Sequence, residues 1–113
     1  MTMDTLELPD TLTRLEAVIA ERRLASPDSS YVARLNARGL PEIAQKLGEE
    51  ATETVIAALT GDTAELTAEA ADLLFHLLVL LGAKHVALAD VLAELDRREG
   101  TSGLDEKAAR TQD

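Results

Sequence analysis

No cysteine occurs among the 113 residues of this sequence. That excludes disulfides, thiolate zinc sites and cysteine nucleophiles together. Tryptophan is absent too, and one tyrosine and one phenylalanine are the only large aromatics. With 46% apolar residues, a core is feasible, but Leu, Ala, Val and Ile must fill it, as in packed helices. Proline occurs three times and glycine six, mostly between periodic segments. Positive charge is scarce: 11 basic residues stand against 21 acidic ones, for a net charge of -10. Such a surface repels phosphate backbones, so nucleic acid is not an expected partner. A small anionic substrate requires metal ions to neutralise the local field. The longest apolar run, Leu73 to Leu81, is broken by His76 and falls short of the ~18 residues of a membrane span, so no membrane partner is expected. Met1 to Pro9 has neither a basic start nor an apolar stretch, so no secretory signal is expected. A cytoplasmic protein is the resulting expectation.

The chain length suits one domain over 1–113, with a helical core at about 10–98 and a polar tail at 101–113. Pro9-Asp10-Thr11 reads as a helix start, and Leu12, Leu15, Val18 and Ile19 follow at helical spacing. The turn formers Ser26-Pro27-Asp28-Ser29-Ser30 should end that helix near Ala25. A short second helix runs from Tyr31 to about Arg38 and stops at Gly39. Pro41 suits the first turn of a third helix, which reaches about Thr60 before Gly61. Asp62 or Thr63 caps a fourth, to about Lys84, and a fifth spans about Leu88 to Arg98. The expected fold is all-α: four to five helices in an antiparallel bundle. In the fourth helix, Leu73, Leu74, Phe75, Leu77, Leu78, Val79, Leu80 and Leu81 cover nearly the whole circumference. A surface helix shows one apolar stripe. Completion of the bundle by a second copy, a homodimer, is therefore expected.

Two acidic motifs carry the chemistry. The third helix contains Glu49-Glu50-Ala51-Thr52-Glu53, and the fourth contains Glu69-Ala70-Ala71-Asp72. Positions three and four apart share a helix face. Lys46, Glu49, Glu50 and Glu53 therefore form one stripe, and Glu65, Glu69, Asp72 and His76 another. A short turn at Gly61 makes the two helices an antiparallel hairpin. Residues whose numbers add to the same total then lie level, and Glu50 with Asp72 and Glu53 with Glu69 meet that condition. Both pairs stand roughly 12 Å from the turn, at ~1.5 Å per residue. Helix rotation, which spacing does not determine, decides whether the stripes face each other.

Facing carboxylates repel unless cations lie among them, and an unpaired buried carboxylate costs several kcal/mol. All-oxygen ligation favours Mg2+, with Mn2+ possible, over Zn2+. Lys46, one turn before Glu50, is placed to bring an ammonium near metal-bound phosphates. The plainer reading treats Glu49, Glu50 and Glu53 as a solvated face. His76 and His85 read as hydrogen-bonded core histidines, Glu65 as exposed, and Arg14, Arg22 and Arg23 as a solvated face. A di-iron bundle needs a Glu-x-x-His motif on each of two helices, which this chain lacks.

The stretch Ile43-Ala44-Gln45-Lys46-Leu47-Gly48-Glu49-Glu50-Ala51, together with Glu69-Ala70-Ala71-Asp72 and the apolar run to Leu81, closely resembles the phosphoribosyl-ATP pyrophosphatases. These belong to the all-α, MazG-like pyrophosphohydrolase superfamily. The likeness extends from about Leu12 to Arg110, through Ser26-Pro27-Asp28-Ser29-Ser30-Tyr31 and Ser102-Gly103-Leu104-Asp105-Glu106-Lys107. It implies that Glu50, Glu53, Glu69 and Asp72 hold Mg2+, that Glu49 is a further ligand or orients water, and that Lys46 contacts phosphate. It also implies a dimer that hydrolyses phosphoribosyl-ATP to phosphoribosyl-AMP and pyrophosphate in histidine biosynthesis. A general nucleoside triphosphate pyrophosphohydrolase would use the same metal face. A non-catalytic helical dimerisation module remains as a third reading.

Overall fold

A computed structural model describes the backbone of residues 4–99 and Lys107, with side chains from Thr11 onward. Among residues 4–99 five helices follow one another: α1 (Asp4–Arg22), α2 (Tyr31–Arg38), α3 (Leu40–Thr60), α4 (Thr63–Ala83) and α5 (Leu88–Arg98). Among the described residues there is no strand, and the all-α bundle expected from the periodicity is the fold observed. One helix differs in its bounds. α1 begins at Asp4, not at Pro9-Asp10-Thr11, and ends at Arg22 rather than near Ala25; Pro9 thus lies inside its second turn, where it removes one backbone hydrogen bond. After Arg22 the chain tightens, with Leu24 N–H donating to Glu21 O at 3.1 Å and Ala25 N–H to Arg22 O at 3.0 Å. The expected polar tail at 101–113 lies outside the described residues apart from Lys107.

The turns explain the helix ends. Ser30 caps α2, its Oγ accepting from Ala33 N–H at 3.1 Å, and the residue is buried. Gly39 joins α2 to α3 with φ 100 and ψ 170, a region that essentially only glycine occupies. Of the two candidate caps for α4, Asp62 performs the role, its Oδ1 accepting from Glu65 N–H at 2.8 Å.

α3 and α4 pack along each other as the antiparallel hairpin, while α1 lies on α4 and α2 on α3. Ile19, Val32, Leu35, Ile43, Leu78, Val79 and Leu88 form the buried core, one or two from each helix. α5 is tied in at its first residue, where Leu88 N–H donates to Glu16 Oε2 at 2.8 Å. The hairpin end near Gly61 is less covered. Val55, Ile56 and Leu59 of α3 stay exposed, as does Leu74 of α4. α4 has the length and hydropathy of a membrane-crossing helix by composition alone, at 1.6 over its most apolar window, yet only 17% of that window is buried within the chain.

Two expectations need correction here. His85 is exposed rather than a core histidine, because it takes a positive φ of 59 just past α4, where the chain turns away from the core. Arg23 is half-buried rather than on a solvated face. Its Nη1 lies so close to Gly82 that a Cβ there would come within 2.5 Å of it.

A candidate metal centre on the α3–α4 hairpin

The packing of α3 on α4 settles the rotation that spacing left open. Glu50 turns inward and is 9% exposed. Glu69 is half-buried, and Asp72 is exposed. One carboxylate oxygen from each of these three residues lies within 4.8 Å of the other two. Glu53 is exposed, and its charge bears on both Glu50 and Glu69. The four acids expected to face one another are thus brought together, with Glu50, Glu69 and Asp72 as the tight set and Glu53 beside it.

The electrostatics follow from this crowding. Glu50 is pushed up to about 7, first by its contact with the Glu53 carboxyl, then by burial and by the charges of Glu53, Asp72 and Glu69. Glu69 is also raised, first by desolvation and then by Glu53 and Asp72. Glu50 Oε2 is buried without a hydrogen-bond partner. Buried polar atoms are normally satisfied, so an orphaned carboxylate oxygen inside an acidic trio is an open ligand position. The donor set is entirely oxygen, which suits a hard divalent cation.

Glu49 and Lys46 sit apart from that trio. The Lys46 ammonium bonds Glu49 Oε1 at 3.2 Å, and Gln45 Nε2 donates to Glu49 Oε2 at 3.1 Å. Gln45, then Lys46, hold the Glu49 carboxyl below its ordinary value. This ion pair is open to solvent, where water and salt screen it, so both partners can exchange for substrate groups at little cost.

His76 is the buried, hydrogen-bonded histidine that the sequence suggests. Its Nδ1 lies 2.8 Å from the backbone carbonyl of Asp72, and its Nε2 lies 2.9 Å from Tyr31 Oη. Two residues of the site escape a reading from sequence. Tyr31 shows there as the start of α2 and the end of the 26–31 likeness, with no role attached. Thr54, a hydroxyl among acids, offers no pattern, yet it bridges the two helices that carry the carboxylates.

Comparison with known proteins agrees with the geometry. The family described as phosphoribosyl-ATP pyrophosphohydrolase matches residues 12–99, which include every acid of the cluster. A phosphoribosyl-ATP pyrophosphatase of Erythrobacter litoralis is 74% identical over 101 residues, covering 89% of this chain and 97% of the relative. One from Novosphingobium aromaticivorans is 68% identical over 106 residues, covering 94% and 99%. One from Zymomonas mobilis is 59% identical over 101 residues, covering 89% and 94%. With the match running from α1 to the end of α5, the chain belongs to the phosphoribosyl-ATP pyrophosphohydrolase family.

Proposed function

We propose that this chain hydrolyses phosphoribosyl-ATP to phosphoribosyl-AMP and pyrophosphate, a step of histidine biosynthesis, with Mg2+ held by Glu50, Glu53, Glu69 and Asp72. The reading rests on one observation above others: three carboxylates converge within 4.8 Å around a buried Glu50 oxygen that has no partner. Mn2+ fits the same oxygen set. When bound, the cation neutralises phosphate charge, stabilises departing pyrophosphate and lowers the pKa of water.

The chain's own groups account for the rest. Glu49, ionised and exposed, serves as a further metal ligand or orients the attacking water, whose proton passes to solvent. Lys46, released from Glu49, places its ammonium against a phosphoryl oxygen. Water adds to phosphorus, the anhydride between the α- and β-phosphates breaks, and pyrophosphate leaves with the bonding electrons. The acidic trio excludes free phosphates that arrive without a cation, since like charges repel at this range.

A homodimer belongs to the same proposal. The apolar α4 is mostly uncovered within one chain, and Val55, Ile56, Leu59 and Leu74 lie exposed on the same hairpin. A second copy covers them at least cost, and a cytoplasmic site of action accords with the substrate.

The deciding experiment measures pyrophosphate release from phosphoribosyl-ATP with and without Mg2+, beside a panel of free nucleoside triphosphates. Mg2+-dependent release with preference for phosphoribosyl-ATP is the expected result. Equal or faster cleavage of the free triphosphates would overturn the substrate assignment, and release unchanged by chelation would overturn the metal site.

A further inference from the structure

The chain contains one tyrosine, one phenylalanine and no tryptophan, and the fold brings both rings to the carboxylate cluster. Tyr31 opens α2, while Phe75 and His76 come from α4. The Tyr31 and Phe75 rings stack with centroids 6.2 Å apart at 24°. His76 meets Tyr31 edge-on, at 5.7 Å and 81°. A carbonyl oxygen only accepts, so His76 Nδ1 carries the proton given to Asp72 O, 2.8 Å away. In the neutral ring, Nε2 then accepts, and the Tyr31 hydroxyl donates to it across 2.9 Å. The phenol is therefore held at its hydroxyl by His76, with the Phe75 ring packed beside it.

Tyr31 nonetheless remains 40% exposed, whereas His76 is only 6% exposed. With the hydroxyl tied to the buried His76, that exposure leaves room for a flat group to lie against the ring. The hydroxyl is linked through the His76 ring to the backbone of Asp72. Burial, and the nearby Glu50, Asp72 and Glu49 carboxylates, hold the phenol above its ordinary pKa against the opposing Lys46 charge. It therefore presents a neutral ring.

We infer that the open face of Tyr31 is the platform on which the purine base of the substrate stacks while the carboxylate cluster holds the phosphates. This rests on the proposed function and adds the residue that reads the base. A flat, pre-positioned ring gives contact area at little entropic cost, and every base has a π-face to lay on it. The one phenylalanine, Phe75, is packed into the partly buried set around the core, so Tyr31 offers the more open ring.

Because Tyr31 is the only tyrosine and tryptophan is absent, intrinsic tyrosine emission reports on this position alone. The full chain with Mg2+ is titrated with each reaction product, phosphoribosyl-AMP and pyrophosphate, to concentrations that inhibit turnover. Phosphoribosyl-AMP is expected to quench the emission, and pyrophosphate to leave it within about a tenth of its starting value. Inhibition by phosphoribosyl-AMP without quenching, or equal quenching by both, would overturn the platform. In kinetics, Tyr31→Phe keeps KM within about threefold, whereas Tyr31→Leu raises KM about tenfold or more with kcat little changed, the scale of a lost base stack. A fall in kcat at constant KM for Tyr31→Leu counts against the platform. If that variant fails to fold, the wild-type quenching and Tyr31→Phe still decide the matter. Wild-type turnover without quenching removes the platform alone; absence of wild-type turnover removes the proposed function with it.

Discussion

The Thr54 hydroxyl of α3 lies 3.2 Å from the backbone carbonyl of Glu69 on α4, and 2.8 Å from the carbonyl of Glu50 on its own helix. One side chain thus spans the hairpin at the height where the carboxylates gather. Thr54→Val keeps the shape and removes the donor. The expected cost is about 1 kcal/mol, the net worth of a typical hydrogen bond, seen as a lower denaturation midpoint. A weaker Mg2+ response should accompany it, because Glu50 and Glu69 lose their common tie.

Glu50 makes the metal-free chain sensitive to pH. Its carboxyl is raised to about 7, first through Glu53, whereas an unfolded glutamate titrates near ~4.3. An acid with a raised folded-state pKa binds its proton more tightly when folded. Its stabilising contribution is complete below ~4.3 and is lost as pH climbs through about 7. The melting temperature of metal-free protein should therefore fall across that window, and added Mg2+ should restore it at the upper end. Glu50→Gln should flatten most of the fall and abolish the Mg2+ response. A wild-type melting temperature that rises between those pH values would contradict this.

Glu53→Gln and Asp72→Asn alter exposed side chains. Each removes a charge that raises Glu50, so the helical fold should survive and metal-free stability should not fall. Mg2+-dependent pyrophosphate release should drop by about 100-fold or more, the scale of disturbed metal ligation. Circular dichroism and release assays on the same samples test both halves. Full activity in both variants would dismantle the assigned site.

Gly39 holds φ 100 and ψ 170 between α2 and α3. Gly39→Ala places a Cβ on backbone that side-chain-bearing residues avoid, at a cost of about 1–3 kcal/mol. Space is not the issue, since that Cβ would approach nothing closer than Pro41 Cδ at 3.8 Å. Chemical denaturation should report this loss. A neutral result would mean that the junction relaxes without harm to either helix.

Light scattering at micromolar concentration should give twice the 12.1 kDa chain mass. Ile56→Glu puts a charge on the exposed apolar stretch of α3 and should shift the population towards monomer. A monomeric wild type would remove the second copy from the proposal.

Much of this was legible along the chain. Helical period, turn formers and caps located the helices to within a few residues, because each is a local property of neighbouring side chains. The bounds of α1 were displaced most: it starts at Asp4, ahead of Pro9, and ends at Arg22, short of Ala25. The level heights of Glu50 with Asp72 and Glu53 with Glu69 followed from a two-residue turn and a constant rise per residue. Composition and motif spacing also led to divalent cations and phosphate.

Tertiary packing decided the rest. Glu49 and Glu50 are adjacent in sequence, yet one pairs with Lys46 in solvent and the other is buried among acids. Rotation about the helix axis makes that difference, and it depends on what α1, α2 and α4 press against α3. The meeting of Tyr31 with His76, 45 positions apart, has the same origin. Spacing along a helix states which side chains share a face, but only the neighbouring helices determine where that face points.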